Sequence, residues 1–118
     1  MQRSFFVGAI PLFLLLAAEQ ASAHALLDHA EPRVGNTVAS PPRAVTLWFT
    51  QKLEQAFSGI TVTNAAGERV DTGKARVSGE QMSVSLRAGG SGTYHVKWHV
   101  LSVDTHRTEG DFTFRVGQ

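Results

Sequence analysis

Tyr94-His95-Val96-Lys97-Trp98-His99-Val100 puts an apolar or aromatic side chain at every second position. That is the period of an extended chain, whose alternate side chains point to opposite faces of a sheet. One face holds Tyr94, Val96, Trp98 and Val100 and belongs in a core. The other holds His95, Lys97 and His99 and belongs in solvent. Phe112-Thr113-Phe114-Arg115-Val116 repeats the pattern, as do Met82-Ser83-Val84-Ser85-Leu86 and Ile60-Thr61-Val62-Thr63 nearer the N-terminus. Val45-Thr46-Leu47-Trp48-Phe49-Thr50 is rich in β-branched and aromatic residues. Turn formers separate these segments: Pro41-Pro42, Ser58-Gly59, Asn64-Ala65-Ala66-Gly67, Ser78-Gly79 and Gly89-Gly90-Ser91-Gly92. Gly67 closes a hairpin between the Ile60 strand and Arg69-Val70. No segment has the periodicity of an amphipathic helix, and Lys52 to Phe57 is room for one short turn. The expected fold is all-β, a single antiparallel sandwich or barrel, with Trp48 and Trp98 in its core.

The first residues read differently. A positive start, Met1-Gln2-Arg3, precedes an apolar run from Phe5 to Ala18 and the small-residue tripeptide Ala21-Ser22-Ala23. This order is that of a secretory signal peptide. The alternative is a membrane anchor, which needs about 20 apolar residues and would have to absorb Pro11. Residues 1–23 are therefore expected to be a cleaved signal, and 24–118 a single exported domain.

Cleavage removes Arg3 and Glu19 together, so the formal net charge stays at +1. Such a balance suggests neither nucleic acid nor an anionic membrane as partner. The chain has no cysteine. The domain must stand on its core without disulfides, and any metal must be held by His, carboxylate, Met or backbone rather than thiolate.

Two places carry donor chemistry. Removal of the signal frees the α-amine of His24 beside its own imidazole. Such an amine has a pKa of about 7.7–8.0 in model peptides, so near neutral pH a metal displaces its proton. Two nitrogens from one residue suit Cu(II), which favours tetragonal nitrogen and oxygen donors; the alternative is a frayed, solvated terminus. In Asp104-Thr105-His106, residues two apart on an extended chain project to the same face, so a carboxylate and an imidazole stand side by side. The alternative there is a solvated turn. Spacing alone does not bring His24 to Asp104 and His106.

Gly92-Thr93-Tyr94-His95-Val96-Lys97-Trp98, Ser102-Val103-Asp104-Thr105-His106 and Gly110-Asp111-Phe112-Thr113-Phe114-Arg115-Val116 resemble the CopC copper-resistance family of periplasmic copper-binding proteins. His24-Ala25-Leu26-Leu27, Ala30-Glu31-Pro32-Arg33-Val34-Gly35, Val45 to Thr50 and Phe57-Ser58-Gly59 extend the likeness over essentially the whole mature chain. The resemblance implies a Greek-key β-sandwich of immunoglobulin-like or cupredoxin-like layout. It also implies one Cu(II) per chain, held by the amine and imidazole of His24 with Asp104 and His106.

Three features depart from the family pattern. Gln51 stands where some members place a Glu near the copper. Met82 is the sole methionine left after the signal, too few for the Met-rich Cu(I) site of other members. Arg107 replaces the Pro that commonly follows Asp-Thr-His. Asp28 is a candidate to orient His24 through a hydrogen bond, with His29 beside it. The implied role is a monomeric copper carrier or buffer in copper homeostasis and resistance, not an enzyme, working with a CopD-type inner-membrane copper transporter. Two alternatives stay open: an oxidative enzyme using an N-terminal histidine chelate, and a metal-free accessory module of a membrane copper transporter.

Overall fold

The computed structural model of the protein describes residues 25–117. The expected signal and His24 lie outside the described residues. Eight strands follow one another: β1 (Leu27–Glu31), β2 (Thr37–Val38), β3 (Ala44–Phe49), β4 (Gly59–Thr63), β5 (Asp71–Ser78), β6 (Gln81–Leu86), β7 (Gly92–Leu101) and β8 (Arg107–Val116). They form two four-stranded sheets, ordered β1-β3-β6-β5 and β2-β8-β7-β4. The chain passes repeatedly from one sheet to the other, giving a Greek-key sandwich. It is antiparallel except where β2 runs parallel to β8, pairing Thr37 with Arg115 and Val38 with Val116.

The core is the set of alternating residues that the sequence places inward. Val45, Leu47, Phe49, Met82 and Val84 come from the first sheet; Val62, Tyr94, Val96, Val100 and Phe114 come from the second. Full burial of one such side chain contributes roughly 1.5–3 kcal/mol. Tyr94 stacks on Phe114 with ring centroids 5.2 Å apart, and its hydroxyl donates to the carbonyl of Gly90 at 2.7 Å. Trp98 bridges the sheets, meeting Phe49 edge-on at 5.0 Å. Its ring lies over Gly110, where a Cβ would fall 2.6 Å from Cζ2.

Trp48 departs from expectation. Val45, Leu47 and Phe49 occupy the inner face of β3, so Trp48 faces outward and is only partly buried. There it stacks on the His29 ring at 4.3 Å and 7°. The hairpin after Ile60 closes at Gly67 as expected, with the Val70 N–H donating to the Val62 carbonyl at 2.9 Å. The Asn64 side chain accepts the backbone N–H groups of Ala66 and Glu68, and Gly67 takes a φ of 82°. After the bridge from Thr63 to Arg69, the chain leaves β4 and joins the other sheet as β5.

β5 is an outer strand. The Gln55 side chain, in a single 3-10 turn (Gln55–Phe57), brackets its free side. Its amide donates to the Ala75 carbonyl at 2.8 Å, and its oxygen accepts the Val77 N–H at 2.8 Å.

Candidate metal centre

Asp104 and His106 sit in the connection between β7 and β8. This segment is a turn rather than the extended chain expected. The Ser102 N–H donates to the His106 carbonyl at 2.9 Å and the Thr105 N–H donates to the Ser102 carbonyl at 2.8 Å. Thr105 has a φ of 73°, a left-handed conformation that is rare for a β-branched residue. The turn nonetheless sets the two side chains together, with His106 Nδ1 3.4 Å from Asp104 Oδ1 and both side chains nearly half exposed.

Ser102 underlies this pair and is fully buried. Its hydroxyl donates to Asp104 Oδ1. That bond is the main cause holding the Asp104 carboxyl below its ordinary range; partial desolvation opposes it, and the His106 imidazole adds to it. Asp104 is thus an anionic donor at neutral pH.

The N-terminal segment is tied down at the same end of the sandwich. Ala25 is fully buried, and its carbonyl accepts the Thr108 hydroxyl at 2.9 Å. Leu26 and Thr50 exchange two hydrogen bonds, of 2.9 and 3.0 Å. The loop after Thr50 continues to Lys52, whose carbonyl accepts the Val103 N–H at 2.9 Å, and to Leu53, which bridges Ser102. Residues 26 and 103 therefore flank one loop. The first described residue is bonded to a strand position two residues beyond His106. Gln51 is half-buried in this loop.

Other candidate donors lie elsewhere. Asp28 Oδ2 is 2.7 Å from His29 Nδ1, so its carboxylate is engaged by its neighbour. His95 faces outward as expected and meets Asp111 at 3.1 Å. His99 also faces outward, its ring over Gly59. Met82 is fully buried in the core, out of reach of an ion. Among the described residues no group of three or more His, Asp or Glu converges to hold a metal. Asp104 and His106 are a pair, one oxygen and one imidazole donor without thiolate, a set that fits Cu(II) chemistry.

Sequence reading missed two residues of this region. Ser102 was visible as a small polar residue just before the Asp-x-His, but nothing in its spacing signalled burial. Thr108 lies on the strand after the turn, and its partner, Ala25, is at the other end of the chain.

The arrangement defines a single-domain Greek-key sandwich that presents a nitrogen–oxygen donor pair where its N-terminal segment is anchored. The chain belongs to the CopC family, whose domain model matches residues 27–117. Protein YobA of Escherichia coli (strain K12) is 40% identical over 98 residues, covering 80% of this chain and 79% of that protein. Copper resistance protein C of Xanthomonas campestris pv. juglandis is 32% identical over 123 residues, 97% of this chain and 96% of that one. The crystal structure of CopC from Methylosinus trichosporium OB3b superposes with a TM-score of 0.73 at 31% identity, covering 79% of this chain and 93% of that one.

Proposed function

We propose that this protein is a periplasmic Cu(II)-binding protein of copper homeostasis and resistance, which carries or buffers one ion per chain. Removal of residues 1–23 frees the His24 amine. That amine and the His24 imidazole supply two nitrogens, His106 a third, and Asp104 an oxygen. Four such donors satisfy the tetragonal preference of Cu(II). The observation that carries this reading is the bond between Thr108 and Ala25. It ties the residue after His24 to the strand that begins immediately after His106.

Membership in the CopC family supports copper as the cargo, as does the name of the Xanthomonas relative. The protein acts as a monomer and exchanges its ion with a CopD-type inner-membrane transporter. The test is the EPR spectrum of chain starting at His24 with one equivalent of Cu(II). The spectrum changes in His24→Ala, Asp104→Ala and His106→Ala. An unchanged spectrum in any of these variants removes that residue from the ligand set.

A further inference from the structure

We propose that Ser102 is a positioning residue of this metal centre, presetting the Asp104 carboxylate before the ion arrives; the inference rests on the ligand set proposed above. Ser102 is fully buried, although its side chain is a hydroxyl. A buried hydroxyl must find partners, and here both are the candidate ligand residues. Its single proton goes to Asp104 Oδ1. Its oxygen takes a long bond, 3.4 Å, from the His106 backbone N–H. One atom therefore touches the Asp104 carboxylate and the backbone of His106.

The turn itself does not need this hydroxyl. The backbone bonds from Ser102 N to the His106 carbonyl and from Thr105 N to the Ser102 carbonyl already close it, as does the bridge between Ser102 and Leu53. What the hydroxyl adds is restraint on a half-exposed carboxylate that would otherwise sample several χ1 wells. Residues that orient ligands in this way typically change metal affinity by 10- to 100-fold when removed.

The experiment is a double-mutant cycle on chain beginning at His24. Cu(II) affinity is read by competition with a chromophoric chelator, and metal-free stability by urea unfolding. Ser102→Ala weakens Cu(II) about tenfold in the natural background but less than about twofold in the Asp104→Ala background, because the residue acts through Asp104. Ser102→Thr keeps the hydroxyl and stays within about threefold of the natural affinity, even where its extra methyl lowers stability. Equal losses in both backgrounds, no loss in either, or a Thr variant as weak as the Ala variant would overturn the role of Ser102 while leaving the ligand set standing. If Asp104→Ala itself leaves affinity and EPR unchanged, the ligand set fails and takes this inference with it.

Discussion

The Thr108 hydroxyl lies 2.9 Å from the Ala25 carbonyl oxygen, joining the last strand to the start of the described chain. Thr108→Val keeps the shape and removes the donor, leaving a buried carbonyl unpaired. One such bond is worth about 1 kcal/mol, or about fivefold in affinity. The variant should bind Cu(II) about fivefold more weakly, measured by chelator competition. An unchanged dissociation constant would show that anchoring Ala25 does not matter for the ion.

Chain that starts at His24 should bind Cu(II) far more tightly than chain bearing one added N-terminal residue. The addition turns a basic amine into an amide, which no longer donates a neutral lone pair. Side-by-side titration checks this, with mass spectrometry to fix the first residue of the exported protein. Equal affinities would eliminate the amine as a ligand.

Asp71 should stabilise the fold in a pH-dependent way. Its nearly buried carboxylate accepts the Val62 N–H at 2.9 Å and two bonds from Arg69, at 2.9 and 2.7 Å. Desolvation pushes its pKa up, but the Arg69 and Val62 bonds outweigh that and leave it below the ordinary 3.8. A lowered folded-state pKa contributes stability that is present above 3.8 and lost as pH falls through the lower folded value. Asp71→Asn should cost about 2 kcal/mol at pH 7, with the gap to the natural protein closing under strong acid. Urea unfolding across pH reads both; a gap constant with pH would refute the assignment.

Thr105→Gly should raise folding stability by roughly 0.5–1 kcal/mol. A left-handed φ costs a non-glycine residue about 1–2 kcal/mol, and glycine returns part of that gain through its freer unfolded chain. Thermal unfolding of the metal-free variant decides it; a lower midpoint would mean that the threonine side chain stabilises the turn.

Much of the fold was legible because alternation reports burial directly: Tyr94, Val96, Val100, Phe112, Phe114 and Val116 all lie inward as their spacing requires. Trp48 was misread because β3 has large apolar side chains on both faces, and only the phase of Val45, Leu47 and Phe49 decides which face is inside. β1 and β2 were missed, being short and polar, and their strand character comes from pairing with β3 and β8. At the candidate site the donor types were readable from Asp104 and His106. Their geometry was not, since it depends on Thr105 adopting a left-handed backbone. Nor was the nearness of Ala25 to Thr108, a contact between residues distant in sequence that local patterns do not encode.

The Gln55 amide gives β5 what a ninth strand would have given: a donor and an acceptor at the spacing of an extended backbone. An uncovered outer strand is a template on which other copies can add. A domain without cysteine cross-links would be exposed to that hazard at every transient opening. With one side chain parked across the rim, the backbone of β5 at Ala75 and Val77 is closed to an incoming strand.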